Sequence, residues 1–87
     1  MKTEKTVEVL CEESNFAVIR ILSRKYPGVL IQGDSLLGLV GSAKEAIELI
    51  DQDKDEAMEA LTNIYEELNW RLINYKKVLE ENGVPFF

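Results

Sequence analysis

The chain has 87 residues, 46% of them hydrophobic and 30% charged, which is the balance of a globular protein rather than a disordered one, and the length fits a single domain over residues 1–87 with one core. Sixteen acidic residues against ten basic ones give a formal charge of -6, which argues against phosphate backbones and therefore against nucleic acid as a partner. The absence of histidine excludes Ser-His and Cys-His dyads, imidazole zinc sites and Glu-x-x-His di-iron sites.

Residues Met1 to Thr6 are polar, and no stretch approaches the roughly 20 apolar residues of a membrane span, so a cytoplasmic protein without membrane contact is expected. Thr6 to Glu12 alternate, which predicts a half-buried strand with Val7, Val9 and Cys11 on one side. Cys11, the single cysteine, reads as a small buried hydrophobe in a reducing compartment. After the polar turn Glu13-Ser14-Asn15, the β-forming run Phe16 to Leu22 predicts a second strand with Ala17, Ile19 and Ile21 facing one way. The Pro27-Gly28 pair fits a tight turn, and Val29 to Gln32 is read as a third, antiparallel strand.

From Leu36 the apolar period changes. Leu36, Leu39, Val40, Ala43, Ala46, Ile47 and Ile50 keep phase at 100° per residue, predicting a helix from about Ser35 to Asp51, with a break near Gly41 as the alternative. The capping pattern Asp53-Lys54-Asp55-Glu56 opens a second helix, whose predicted core stripe is Ala57, Met58, Leu61, Ile64, Tyr65, Leu68, Leu72, Tyr75 and Leu79. Gly83 and Pro85 stop it near Asn82. The expected architecture is α+β: a three-stranded antiparallel sheet followed by two amphipathic helices (β-β-β-α-α), both helices packed on one face and the other face uncovered.

Chemistry-bearing patterns are few. Asp51, Asp53 and Asp55 begin like a calcium loop, but Glu56 stands where glycine is needed and Thr62 where a bidentate glutamate is needed, so they read as cap and first-turn residues. No metal site, cofactor or catalytic residue is expected, and the chain is not read as an enzyme. Two surfaces stand out as partner-binding. Trp70 and Ile73 project nearly opposite the stripe centred on Leu68, and Phe16 and Val18 point away from Ala17, Ile19 and Ile21 onto the uncovered sheet face.

The segment Arg20-x-x-x-Arg24-x-x-Pro27-Gly28-Val29-x-x-Gln32-Gly33-Asp34-Ser35-Leu36, preceded by Asn15-x-Ala17-Val18, resembles a family of small uncharacterised bacterial domains. The resemblance implies a bacterial, stand-alone small domain and brings no reaction with it. Within the segment, Arg20, Arg24, Gln32 and Asp34 are the candidate ligand-binding side chains, with an arginine-aspartate pair that fixes the hairpin as their structural use.

The functional expectation is a small acidic protein-interaction module, either an inhibitor of the immunity or antitoxin kind or a self-associating homodimer. The alternative is a domain that binds an anion or small molecule through the Arg20, Arg24, Gln32 and Asp34 region.

Overall fold

Three β-forming runs pair in chain order and two helices follow, which is the expected α+β arrangement. The computed structural model describes residues 1–87. The elements are β1 (Val7–Glu13), β2 (Phe16–Ile21), β3 (Gly28–Leu30), α1 (Gly33–Leu49) and α2 (Lys54–Glu81). The sheet is antiparallel with order β1-β2-β3. Residues 1–31 and 73–87 form one compact unit, the sheet unit, and residues 32–72 form a second, the helical unit.

The sheet unit is organised by a shift in β1. Val9 pairs with Ile19, but the next pair is Cys11 with Val18, so Leu10 is an extra residue in the ladder. An extra residue reverses side-chain parity, because strand side chains repeat every two positions. Val7 and Val9 therefore share a face with Ile21 and Ile19, whereas Cys11 joins Val18 and Val29 on the other face. This corrects the grouping of Val7, Val9 and Cys11 on one side. Both Leu10 and Cys11 pack against the core cluster of Phe16, Val18, Tyr75, Val78 and Leu79.

The orientation assigned to Phe16 and Val18 is also corrected: both are buried, facing the C-terminal turns of α2. The open face instead carries Val7, Val9, Ile19, Ile21 and Leu30. The helical residues of this core cluster, Tyr75, Val78 and Leu79, come from the C-terminal turns of α2.

α2 stops as its sequence directs. Gly83 has φ 69°, and the N–H groups of Gly83 and Val84 donate to the carbonyls of Glu80 (3.2 Å) and Leu79 (2.9 Å). This paired closure satisfies two terminal carbonyls and folds Val84 back onto the core. At its start, Asp53 Oδ1 accepts the Glu56 N–H at 3.1 Å, the bond a capping aspartate makes.

In the helical unit, α1 is continuous through Gly38 and Gly41 and begins at Gly33, two residues earlier than expected. Its less exposed side is Ser35, Leu39, Ser42, Ala46 and Leu49, which recur at alternating steps of four and three. On α2 the buried positions of this unit are Ala57, Ala60 and Arg71, with Ile64 and Asn69 half-buried. Met58, Leu61, Tyr65, Leu68 and Leu72, assigned to the core stripe from their period, are instead exposed. The apolar stripe keeps its helical period, but the buried face lies about 90° around the helix from the centre of the exposed apolar stripe.

Leu79→Ala should cost about 2–5 kcal/mol in urea denaturation, as for a fully enclosed leucine. Gly38 and Gly41 have nothing within 4 Å of a built Cβ, so Gly38→Ala and Gly41→Ala should each stabilise the protein by up to about 1 kcal/mol, read as a rise in the urea midpoint.

Candidate functional site

A helical hairpin whose fully buried apolar positions are one leucine and three alanines leaves most of its large apolar residues outside. Leu39, Ala46, Ala57, Ala60 and Arg71 are buried in the helical unit, whereas Leu36, Val40 and Ile47 of α1, Ile50 just past its end, and Met58, Leu61, Tyr65, Leu68 and Leu72 of α2 are each between 41% and 74% exposed. Ile47 and Ile50 line one apolar groove together with Ala46 and Leu61, which places the two exposed stripes on the same side of the hairpin. A second groove between the helices is lined by Ser42, Glu45, Glu56, Glu59, Ala60 and Asn63. The hairpin thus has an apolar face and a separate acidic flank. Three basic residues against ten acidic ones lie in residues 32–72, and seven against six in the remainder, so the helical unit holds the whole negative excess.

The second candidate region is the open sheet face. A groove of about 430 Å³ is lined by Ile19, Ile21 and Leu30 together with Arg24, Tyr26 and Pro27 of the β2–β3 loop. That loop is held from below. The Tyr75 hydroxyl donates to the Pro27 carbonyl at 2.7 Å in a buried contact, and Tyr26 meets Phe87 edge-on at 4.8 Å between ring centroids. Phe87 also stacks on Phe86 at 5.0 Å. The C-terminal aromatic pair therefore packs toward the loop.

The residues singled out in the sequence fare differently. Trp70 is 48% and Ile73 59% exposed, and Trp70 already takes part in an interaction within the chain. Phe16 and Val18 are core residues and present no surface to a partner. Arg20 pairs with Glu8 across β1 and β2 at 2.9 Å, while Asp34 Oδ1 accepts the Ser35 N–H at 2.8 Å in the first turn of α1. The anticipated arginine-aspartate pair is thus replaced by an arginine-glutamate pair. Gln32 is the residue that caps α1, and its side chain makes no capping bond. Arg24 lines the groove on the open sheet face. No group of three or more His, Cys, Asp or Glu residues is arranged to hold a metal ion, and no helix is long and apolar enough to cross a membrane.

A family model described as a family of unknown function (DUF6959) matches residues 1–86. The chain belongs to this family. No curated protein and no solved structure matches the chain. Membership in DUF6959 brings no reaction, ligand or partner with it, so the functional argument rests on the residues themselves.

Arg71 is a feature that the sequence did not reveal. The side chain is buried and tied to Glu67 Oε1 at 3.1 Å, with Nε unpaired. It occupies a position in the buried 3–4 pattern where an apolar residue would ordinarily sit.

Burial, and secondarily the neighbouring Tyr26, raises the Tyr75 hydroxyl above its ordinary pKa of 10.0. The folded state therefore favours the neutral phenol: its contribution is complete below pH 10 and is lost as pH rises through the folded value. Tyr75→Phe leaves the buried Pro27 carbonyl without its donor and should cost about 1–3 kcal/mol at pH 7. The gap between wild type and variant should narrow above pH 10 in urea denaturation.

Proposed function

We propose that this member of DUF6959 is a non-catalytic protein-interaction module that acts by self-association, with the apolar face of the hairpin meeting the same face of a second copy. The observation that carries the reading is the pair of exposed apolar stripes on one side of α1 and α2. Nine large side chains at roughly half exposure present on the order of 1,000 Å², above the roughly 300–600 Å² of the largest patch on an ordinary monomer and enough for the roughly 800 Å² per partner of a standard interface. Two antiparallel hairpins closing on their apolar sides make a four-helix arrangement, the usual way for such a pair to bury both stripes.

The charge distribution suits this geometry. Glu45, Glu56 and Glu59 line a groove of their own, separate from the one formed by Ile47, Ile50 and Leu61, so the acidic groups need not be desolvated when two apolar faces meet. Their mutual repulsion is screened over about 8 Å at physiological ionic strength. In this reading the net charge keeps the cytoplasmic protein soluble, and the assembly stops at two copies because the interface is self-complementary.

Light scattering coupled to size-exclusion chromatography should give twice the chain mass of 9.9 kDa at tens of micromolar, with association strengthened by added salt. The double substitution Ile47→Glu, Leu61→Glu should give a monomer with unchanged far-ultraviolet circular dichroism, whereas Glu59→Gln should leave the dimer intact. A wild-type monomer at several hundred micromolar rejects self-association. The inhibitor form of the module would instead use the acidic flank, with binding to a basic protein lost on neutralising Glu45, Glu56 and Glu59.

A further inference from the structure

A second site, independent of the helical hairpin, is carried by the open sheet face. Residues 14–33 contain no Asp or Glu, although the chain has sixteen, and they hold Arg20, Arg24 and Lys25. Arg20 is neutralised by Glu8. Lys25 lies over the Tyr26 ring at 5.3 Å from its centroid, and Arg24 has no ion-pair partner. The groove formed by this acid-free segment therefore has an apolar floor of Ile19, Ile21 and Leu30 and an uncompensated guanidinium on its wall.

We propose that this groove binds a small amphiphilic anion, with its apolar body along Ile19, Ile21 and Leu30 and its anionic group at Arg24. The volume of about 430 Å³ lies within the range of small-molecule sites, which are mostly apolar with a few placed polar groups. The planar guanidinium can donate two parallel hydrogen bonds to a carboxylate, which a lysine cannot do. The site is also shaped before any ligand arrives. Tyr75 holds the Pro27 carbonyl, and Phe87 braces Tyr26, so the loop that carries Arg24 loses little freedom on binding. The parity shift at Leu10 completes the apolar character of this face, since it turns Val7 and Val9 beside Ile21 and Ile19.

The probe is decanoate, with decanol as its neutral counterpart, titrated into the full chain and followed by amide chemical shifts. Decanoate should shift the amides of Ile19, Ile21 and the 24–30 segment. It should bind at least fivefold more tightly than decanol, and Arg24→Gln should remove most of that difference while leaving the decanol affinity unchanged. Ile21→Glu should weaken both ligands, and the hairpin variant Ile47→Glu, Leu61→Glu should weaken neither. Equal affinity for decanoate and decanol overturns the proposal, as do shifts confined to α1 and the first half of α2, an unaltered decanoate affinity in Arg24→Gln, or no binding at millimolar decanoate.

Discussion

The contact between Val18 and the last turns of α2 is the constraint from which the sheet unit follows. Val18 and Leu79 are the largest side chains sealed completely from solvent, and they come from the central strand and from the helix turn that ends in the Gly83 closure. A three-stranded sheet with seven-, six- and three-residue strands has little strength without a covered face. Only one side of it can be sealed by a single helix end. Once Val18 points to that helix, Phe16 must too, and Ile19 and Ile21 are committed to the opposite face. The reversal at Leu10 then lets β1 contribute Cys11 to the core while Val7 and Val9 widen the open side.

The helical unit obeys a different constraint. Alanines and serines alternate with Leu39, Leu49 and Ile64 along the less exposed sides of α1 and α2, and small side chains bury little apolar area. Leucine, isoleucine, methionine and tyrosine stand around the same helices at positions the hairpin does not enclose. At about 25 cal/mol per Å², covering a face of this size is strongly favourable. In the proposed self-association, burial rather than specific polar recognition supplies the driving force. The acidic residues act against indiscriminate sticking, because any surface that covers the stripes must also tolerate a strongly negative flank.

The element order, the antiparallel pairing, the Asp53 cap and the Gly83 stop were all legible in the sequence, since each depends on neighbours close along the chain. What escaped was facing. Alternation across Thr6–Glu12 cannot reveal an inserted residue, so Cys11 was grouped with Val7 and Val9, and Phe16 and Val18 were placed on the wrong side. The amphipathic period of α2 gave an apolar stripe without saying whether this chain or another surface covers it. Small residues that form a seam contribute weakly to such a period, so the stripe takes in Ala57 but passes over the buried Ala60 in favour of the exposed Met58, Leu61 and Tyr65. Arg71 was missed because nothing local distinguishes a buried arginine from a solvated one. Arg24 was singled out as one of four candidates, but its separation from Arg20 depends on Glu8, a cross-strand neighbour twelve residues from Arg20.

The two candidate surfaces also differ in what their occupants must supply. A patch without a cation at its centre selects by area and shape, which suits a copy of itself, whereas an apolar groove ending in one unpaired guanidinium selects by the charge of a single group. The sequence keeps these requirements apart by composition: the negative excess is confined to residues 32–72, and the acid-free stretch ends just before Asp34. Had acidic residues been spread evenly, Arg24 would have faced competing carboxylates of its own chain, as Arg20 does with Glu8. The segregation of charge thus leaves the groove's cation available, and the same segregation leaves the hairpin's apolar face bordered only by groups that water can keep solvated.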